Sequence, residues 1–567
     1  CITGGAGRGK TTLINEFARQ AMQQNPVLIV AVGACNVFSA AGDPYLPFRQ
    51  IVAMLTADID AQRRAGNVTA QHARRLQEAL PVTVEAIINH GSELLDVLVP
   101  SKGLLSRISS LTGDRSTLTG RFRQLAVDEP YADSPREQKR LFSQFTAILH
   151  AICQVYPIIL VLDDLQWIDK ASASLLYHLS RHLAGQRLLI VCAYRREEVA
   201  LGRDGERHPM DKVLSEVKSV FGSIWINLAD LPPEEERQFV DNLLDHEPNK
   251  LPEAFRQALF DHTSGHALFT VELLRALQER GDLVKDDDSN WIASPSLDWD
   301  TLPPRIEGVI EERIGRLNPA LRSLLNIASV DGQIFTAEVA AHIEGKKIRT
   351  ILQLLSRDLE GIHHLVKEQE ELLINQNYLT RYQFGHALIQ QYLYSQLGTG
   401  ERRLLHAQIA AALQELVQDH WQPFAAELAW HWQQAGRPDQ AVDKWLWLGD
   451  QARAAYAHAE AENFYKQAVA ELLDQAKSET AARTLMKLGL VYTADFKSAL
   501  AQEAYDQAFA LWQTPPGSRS ILIPDQPGAE LRLATEYPVS FDPGLIDDDV
   551  STFLVSQLFE GLVRVGQ

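Results

Sequence analysis

The chain is poor in cysteine, and what it has shows no pattern. Its 567 residues contain four cysteines: Cys1, Cys35, Cys153 and Cys192. None belongs to a C-x-x-C pair or stands beside a histidine at zinc-ligand spacing. This scatter argues against a disulfide framework and against a structural zinc site, and it favours a reducing compartment. We therefore expect a cytoplasmic protein.

Long apolar runs are also missing. The longest, Ile158–Leu162 and Leu188–Tyr194, fall far short of the ~18 residues that suggest a membrane span. The first residues form a glycine-rich segment and not the apolar run of a signal peptide. These absences predict a chain that neither crosses nor enters a membrane.

Basic residues are in deficit across the whole chain. Lys and Arg number 54 against 73 Asp and Glu, which gives a formal net charge of −19. A chain with this excess of acidic residues is a poor general binder of nucleic acid or anionic membrane. Any basic binding site must therefore be local. The apolar share of 46% is that of an ordinary globular protein, and the length favours about three to five domains.

The glycine-rich start of the chain has the spacing of a phosphate-binding loop. In CITGGAGRGKTT, Gly4, Gly9, Lys10 and Thr11 satisfy the pattern G-x-x-x-x-G-K-[ST]. Glycines let the backbone wrap an anion with its N–H groups turned inward. A helix from Thr12 onward would direct its positive dipole end at the same anion. The pattern predicts binding of ATP or ADP.

The loop positions receive separate predicted roles. We expect the nucleotide to contact Gly4, Gly5, Ala6, Gly7, Arg8, Gly9, Lys10, Thr11 and Thr12. Lys10 would act in catalysis on the β- and γ-phosphates, and the Thr11 hydroxyl would bind Mg²⁺. A buried strand of ~5–6 residues normally precedes such a loop. Since three residues stand before Gly4, we expect the chain to begin inside its first strand.

A second group of candidate residues follows a short apolar segment. In PIILVLDD, Asp163 and Asp164 come directly after Ile158–Leu162, which has the composition of a buried parallel strand. Ligands of open α/β sheets bind at the carboxyl ends of the strands. We assign Asp163 to Mg²⁺ and Asp164 to the attacking water, as a catalytic residue. The alternative is an acidic turn after a core strand.

The rest of the nucleotide region is predicted as further strands with helices between them. Strands are expected at Pro26–Cys35, Leu188–Tyr194 and Ser223–Leu228. A helix is expected at about 135–155, and the two prolines of Asp43–Arg49 predict a loop. Arg195 follows a strand and is the third catalytic candidate, as a sensor of the γ-phosphate. A solvated charge run is the alternative interpretation of Arg195 and its neighbours.

Four segments together resemble a known ATPase module. CITGGAGRGKTT, DPYLPFR, LVLDDLQWID and LLIVCAYRREE are similar to the AAA ATPase module (AAA_16) of the STAND class, the signal-transduction ATPases with numerous domains. The likeness covers about residues 1–400. It implies a Mg²⁺-dependent, slowly hydrolysing switch of bacterial transcriptional and signal-transduction regulators, with ATP-dependent self-association. In that family the adenine contacts precede the phosphate loop, so no adenine-binding residue is named here.

The resemblance continues beyond the predicted sheet. SGHALFTVELL resembles the family's Gly-Asn-Pro-Leu-Phe segment, but Gly265, His266 and Ala267 replace Gly-Asn-Pro. The proline contact to the nucleotide therefore lacks a counterpart. His386, in Phe-Gly-His-Ala, resembles the histidine that contacts bound ADP, and a core histidine is the alternative. Residues 303–400 look like a winged helix. Residues 301–400 contain ten Lys or Arg against eleven Asp or Glu, so we expect no DNA contact there.

An internal repeat marks the region after Phe424. At an offset of 40 residues, Gly449 and Tyr465 recur as Gly489 and Tyr505 within a longer matching set. Small residues at fixed positions let paired helices approach, and the aromatic rings fill the gaps. The pattern resembles tetratricopeptide-type repeats, which bind proteins or peptides on a concave face. A helical spacer is the alternative.

The last segment has a different character. Thr514–Pro527 is rich in proline and predicts a linker. The pieces LRLAT, Phe-Asp-Pro and QLFEGLVR that follow resemble the beginning of the family 5 solute-binding proteins. That resemblance implies a small solute or a peptide as ligand of a domain that Gln567 cuts near its start.

These observations predict an α/β P-loop NTPase with a parallel sheet and flanking helices. It is followed by an all-α winged-helix region, helical repeats and a truncated α/β solute-binding start. The expected order is ATPase domain 1–230, helical domain 231–300, winged-helix-like domain 301–420, repeats 421–513, linker 514–529 and solute-binding start 530–567. The leading hypothesis is a STAND-type ATPase switch. The alternative is a solute- or peptide-sensing scaffold in which the ATPase module is mainly structural.

Overall fold

The structure is a computed structural model. It describes residues 1–36, 43–59, 63, 68–91, 94, 97–98, 104, 135–182, 185–202, 207–222, 224–294, 297–299, 302–303, 305–374 and 377–512. Every element described below belongs to the unit Cys1–Gln513. The predicted linker and solute-binding segment lie outside the described residues. Within the described part, no helix combines the length and the apolar character that crossing a bilayer requires.

A five-stranded parallel sheet organises the N-terminal region. Its strands are β1 (Ile2–Thr3), β2 (Ile29–Ala34), β3 (Ile158–Asp163), β4 (Leu188–Tyr194) and β5 (Ile226–Asn227). They lie in the order β2-β3-β4-β1-β5, and every neighbouring pair is parallel. The predicted strands are confirmed, although β5 is shorter than Ser223–Leu228. Because β4 lies between β1 and β3, the carboxyl ends of these three strands meet at one edge.

The two faces of the sheet are covered by different helices. Alternate residues of β3 supply the two cores, as the period of a strand requires. Ile159 and Val161 pack with Ile14 of the first helix, whereas Leu160 and Leu162 pack with the helices of the other face. The flanking helices are α1 (Lys10–Gln24), α2 (Leu46–Leu55), α3 (Ala70–His90), α4 (Pro135–Val155), α5 (Lys170–His182), α6 (Arg196–Leu201) and α7 (Met210–Phe221).

Two predictions about this region are wrong in detail. Asp43–Arg49 is not a loop, because α2 begins at Leu46 and places Pro47 in its first turn. The first turn has no intrahelical partner for its N–H groups, so a proline fits there at no cost in hydrogen bonds. The phosphate-loop helix begins at Lys10 and not at Thr12.

A small region of three helices and a hairpin follows the sheet. Its elements are α8 (Pro233–Leu244), α9 (Glu253–Thr263), α10 (Ala267–Arg280), β6 (Leu283–Lys285) and β7 (Trp291–Ala293). They share a core of their own around Val240, Leu259 and Leu273. The first turn of α10 reaches back to the phosphate loop, as described below.

The next region contains a sheet, so the expectation of an all-α winged-helix region is wrong. Three strands form an antiparallel sheet in the order β8-β10-β9. Its elements are α11 (Ile306–Gly315), α12 (Pro319–Asp331), β8 (Ile334–Thr336), α13 (Ala337–Glu344), α14 (Ile348–Gln353), a π-helix (Leu354–Ile362), β9 (Val366–Ile374), β10 (Asn377–Phe384), α15 (Ala387–Gln396) and α16 (Thr399–Val417). Tyr382 and Phe384 of β10 are buried beneath the helices. This packing stabilises the strand conformation, because strand preference depends mainly on tertiary context.

Five helices complete the described chain, and each contacts the one that follows it. They are α17 (Ala425–Gln434), α18 (Val442–Ala454), α19 (His458–Asp474), α20 (Ser478–Ala494) and α21 (Ser498–Trp512). A methyl group on Gly449 would overlap the ring of Tyr465, and one on Gly489 would overlap the ring of Tyr505. The prediction that small residues admit the aromatic rings at an offset of 40 is thereby confirmed.

The repeats pack against the ATPase region near the end of β3. The Glu460 side chain of α19 accepts hydrogen bonds from the N–H groups of Lys170 at 2.8 Å and Ala171 at 3.2 Å. The first N–H groups of a helix have no acceptor within the helix. Glu460 supplies one for the start of α5, although it lies 290 residues from Lys170 in the chain. The Gln138 amide of α4 donates to the Tyr456 carbonyl at 2.9 Å. The segment that begins seven residues after Asp163 is therefore bound to the repeats.

We expect Glu460→Gln to stabilise the protein above neutral pH. Burial, with a further contribution from the buried Asp169, raises the pKa of Glu460 to about 8. A raised pKa means that stability is complete below the ordinary value of 4.5 and is lost as the pH rises through about 8. Glutamine keeps an oxygen acceptor and cannot ionise, so its melting temperature at pH 8.5 should exceed that of the wild type by about 2 °C or more. Thermal unfolding across pH 6 to 8.5 measures this.

The matched control is Glu503→Gln, on the exposed face of α21. It should leave the pH profile of the melting temperature unchanged. A Glu460→Gln protein that is no more stable than the wild type at pH 8.5 would contradict a protonated, buried Glu460.

Candidate nucleotide site

The phosphate loop folds around its own lysine. Lys10 Nζ donates hydrogen bonds to the carbonyl oxygens of Gly4 at 2.8 Å and Gly5 at 2.9 Å, and the side chain is buried. Gly7 and Gly9 have φ values of 78° and 84°, a region that side chains disfavour. Burial lowers the pKa of Lys10, and the positive charge of Arg195 lowers it further. The loop therefore holds a buried cation whose charged form a nearby anion would stabilise.

Two residues predicted to bind metal are in direct contact. Thr11 Oγ1 donates to Asp163 Oδ2 at 2.6 Å across 152 residues of chain. Burial and the neighbouring Asp164 carboxylate raise the pKa of Asp163. A hydroxyl and a carboxylate are ligands that Mg²⁺ accepts, and a divalent cation would offset the burial of the Asp163 charge. The donor set fits Mg²⁺.

The second aspartate is held by a short polar chain. Asp164 has a φ of 53°, and its N–H donates to Asp163 Oδ1 at 2.8 Å. The Gln166 amide donates to Asp164 Oδ1 at 2.8 Å, and Gln166 Oε1 accepts from the N–H of Arg195 at 3.2 Å. Gln166 thus links the ends of β3 and β4. Sequence reasoning did not single it out, because nothing in LQWID marks it.

Arg195 lies at the predicted edge with its side chain largely buried. Its guanidinium pairs with Glu198 at 2.7 Å. The charge of Arg195 also depresses the pKa of Lys10, so two cations face the same space. Like charges brought together at a strand edge are a feature of anion sites.

His386 joins this group from the region of the antiparallel sheet. Its Nδ1 accepts from the N–H of Leu388 at 3.1 Å and caps α15. Burial lowers the pKa of His386 to about 4, with smaller contributions from Arg195, His266 and Lys10. His386 thus lies within electrostatic range of Lys10, although the two residues are 376 positions apart in the chain.

Titration of His386 should make the protein sensitive to acid. Its pKa in the folded chain, about 4, lies below the ordinary value of 6.5. Stability is therefore complete above pH 6.5 and falls as the pH drops toward 4, by about 2 kcal/mol at pH 5. His386→Asn keeps a capping acceptor and cannot take up the proton. Its unfolding free energy, measured by denaturant titration, should fall less between pH 7.5 and 5.

His420→Asn is the matched control, because His420 is exposed. Equal loss of stability in the wild type and in His386→Asn between pH 7.5 and 5 would contradict the burial of a neutral His386.

The α10 helix contacts the outer side of the phosphate loop. His266 Nδ1 accepts from the N–H of Phe269 at 3.3 Å and caps α10, while His266 Nε2 lies 3.1 Å from the carbonyl oxygen of Ala6. The N–H of Leu268 donates to the carbonyl oxygen of Gly7 at 3.0 Å. His266 was noted in the sequence only as a departure from Gly-Asn-Pro, and its contact with the loop was not foreseen.

Of the other predicted loop residues, Arg8 forms an ion pair outside the loop and Thr12 is exposed to solvent. The Arg8 guanidinium pairs with Glu236 of α8 at 2.9 Å, so the backbone of Arg8 is what remains for a phosphate. Thr12 is exposed on α1. The predicted site residues that come together are Lys10, Thr11, Asp163, Asp164, Arg195 and His386.

With this geometry established, known proteins offer a comparison. The family model of the AAA ATPase domain (AAA_16) matches residues 1–191. Residues 1–191 are thus similar to an AAA ATPase domain. The match covers β1, β2, β3 and most of β4, and with them the phosphate loop and both aspartates, and a domain of this type implies a nucleotide site. Arg195 and His386 lie outside it.

Two further proteins are similar over longer stretches. An uncharacterized protein of Rhizobium meliloti (strain 1021) is 24% identical over 393 residues, which are 65% of this chain and 34% of that protein. The chain thus spans about a third of the length of this curated relative. The crystal structure of a Signal Transduction ATPase with Numerous Domains (STAND) protein with a tetratricopeptide repeat sensor, from Pyrococcus horikoshii, is 14% identical, with a TM-score of 0.33. That similarity covers 90% of this chain and 74% of the other.

Proposed function

We propose that the chain is an ATP-binding, slowly hydrolysing switch of the STAND type within a transcriptional or signal-transduction regulator. The observation that carries the proposal is the 2.6 Å contact of Thr11 with Asp163, next to Lys10. It unites the end of the phosphate loop with the acidic end of β3, which is what a Mg²⁺–nucleotide complex requires.

The proposed roles follow from the positions of the side chains. Lys10 leaves the carbonyls of Gly4 and Gly5 and binds the β- and γ-phosphates, while Thr11 and Asp163 hold Mg²⁺. When bound, Mg²⁺ neutralises the charge on the phosphate oxygens. Asp164 orients the attacking water, and Arg195 senses the γ-phosphate from the neighbouring strand.

The remaining regions have proposed roles in the switch. His386 contacts the nucleotide from the region 301–420, which we propose to be a winged helix. Its β8-β10-β9 sheet with covering helices supports this, and its near-neutral charge supports a packing role and not DNA contact. The helix pairs after Phe424 are proposed to bind protein or peptide partners, and ATP to promote self-association. A solute or peptide ligand of 530–567 rests on the sequence resemblance alone.

The contact between α19 and α5 offers a route from the nucleotide to the repeats. Asp164 and Lys170 are six residues apart, and the Lys170 N–H is bound by Glu460. A change at Asp164 between ATP and ADP can therefore alter the fit of Glu460 on α5. This arrangement supports a switch in which the bound nucleotide changes the packing of the repeats on α5.

The proposal is tested by ATP turnover together with amide hydrogen exchange. With Mg²⁺, we expect slow release of phosphate from ATP, and different exchange rates of the Lys170 and Ala171 amides with ADP and with a non-hydrolysable ATP analogue. Tight nucleotide retention with no turnover, and equal exchange in both states, would favour the alternative scaffold. The replacement of Gly-Asn-Pro by Gly265, His266 and Ala267 is the observation that keeps this alternative in view.

A further inference from the structure

The conformation of the phosphate loop depends on contacts with α10, and the role given to them here rests on the proposed function. Two successive carbonyl groups of the loop are bound by the first turn of α10. His266 Nε2 lies 3.1 Å from the Ala6 oxygen, and the N–H of Leu268 donates to the Gly7 oxygen at 3.0 Å. These contacts join residues about 260 positions apart in the chain.

The tautomer of His266 follows from its two contacts. Nδ1 accepts from the N–H of Phe269, so it carries no proton. The proton of the neutral ring is therefore on Nε2, and Nε2 donates to the Ala6 carbonyl. Burial, aided by the nearby Arg8 charge, lowers the pKa of His266 and keeps the ring neutral.

Peptide geometry turns these contacts into a statement about the loop amides. In a trans peptide the C=O of one residue and the N–H of the next point in opposite directions. Fixing the Ala6 carbonyl toward α10 directs the Gly7 N–H away from α10, and fixing the Gly7 carbonyl does the same for the Arg8 N–H. Among the described residues, neither N–H has a hydrogen-bond acceptor.

We infer that His266 is a positioning residue that orients the Gly7 and Arg8 N–H groups toward the phosphates of the nucleotide. The helical region thereby forms part of the nucleotide site without touching the phosphates. The loop packs closely against α10 at Gly7. A methyl group on Gly7 would lie 2.8 Å from His266 Cε1 and 2.8 Å from Leu268 Cβ. Donors oriented before binding spare the entropy of arranging them afterwards.

Two substitutions separate the loop contact from the helix cap. Asparagine at position 266 is a good capping residue, but its amide is too short to reach the Ala6 oxygen. Glutamine has an amide nitrogen at about the distance of His Nε2 and is a poor cap. We therefore expect His266→Asn to keep the wild-type melting temperature and to lose phosphate affinity. We expect His266→Gln to lower the melting temperature and to keep the phosphate affinity.

The experiment measures the Kd of inorganic triphosphate and of ATP, each with Mg²⁺, for the wild type, His266→Asn and His266→Gln. For both ligands we expect a loss of about tenfold in His266→Asn, equivalent to about 1.4 kcal/mol, and a Kd within about twofold of the wild type in His266→Gln. Wild-type affinity in His266→Asn, or equal weakening in both variants, would overturn the inference. A wild type that binds neither triphosphate nor ATP would instead overturn the proposed function, so the two failures are distinguishable.

Discussion

Replacing Lys10 by alanine should lower ATP affinity and turnover by about 100-fold or more. The phosphate loop contains two cations, Arg8 and Lys10. The Lys10 ammonium lies inside the loop, where it donates hydrogen bonds to the Gly4 and Gly5 carbonyls. Arg8, the other cation of the loop, cannot replace it, because the Arg8 guanidinium is held by Glu236. Nucleotide titration and a phosphate-release assay measure the loss.

The same substitution should leave the fold intact. Lys10 is a buried cation whose pKa is lowered by burial and by Arg195, so its removal relieves repulsion and a desolvation cost. We expect an unchanged or higher melting temperature for Lys10→Ala. Lys212→Ala, on the exposed side of α7, is the control and should bind and turn over ATP like the wild type. Normal ATP affinity in Lys10→Ala would place the nucleotide elsewhere.

Replacing Gly7 by alanine should lower nucleotide affinity by about tenfold or more. Two costs coincide at this position. The φ of 78° is disfavoured for alanine by roughly 1–2 kcal/mol, and the added methyl group would lie 2.8 Å from both His266 Cε1 and Leu268 Cβ. The loop must separate from α10 to accommodate it. Both thermal unfolding and ATP titration should record the change.

Gly281 provides a control with the same backbone angle. It too has a φ of 78°, at the end of α10, but a methyl group there would meet no atom within 4 Å. Gly281→Ala should therefore lose stability through backbone strain alone and keep its nucleotide affinity. If Gly7→Ala and Gly281→Ala bound ATP equally well, the packing of α10 on the loop would have no part in nucleotide binding.

Those parts of the site that depend on local pattern could be predicted from the sequence. The run Ile158–Leu162 is apolar on both faces, which is the mark of a central parallel strand, and the structure has β3 there. Once β1 and β3 belong to one parallel sheet, their carboxyl ends share an edge. The contact between Thr11 and Asp163 follows from that topology, so the metal candidates could be named without coordinates.

Contacts between distant regions could not be predicted in this way. The bond of His266 with the loop and the bond of Glu460 with α5 depend on how separate helices pack, and no local pattern specifies that packing. The β9–β10 hairpin was missed for a related reason. Its strands are stabilised by the helices that bury Tyr382 and Phe384, and intrinsic strand preference alone is weak.

Proline misled the prediction near Tyr45. The two prolines of Asp43–Arg49 were interpreted as loop residues, yet Pro47 stands in the first turn of α2. A proline disrupts a helix only where its missing N–H and its ring meet the preceding turn. The apolar residues from Phe48 to Leu55, which are mostly buried, were the signal that a helix follows.

The central claim is that Mg²⁺ and ATP bind together at Thr11 and Asp163. The most direct test is the Kd of ATP with and without Mg²⁺, in the wild type and in Asp163→Asn. We predict that Mg²⁺ strengthens ATP binding to the wild type and that Asp163→Asn loses this effect while the protein stays folded. A wild type indifferent to Mg²⁺, or a full Mg²⁺ effect in Asp163→Asn, would contradict the account.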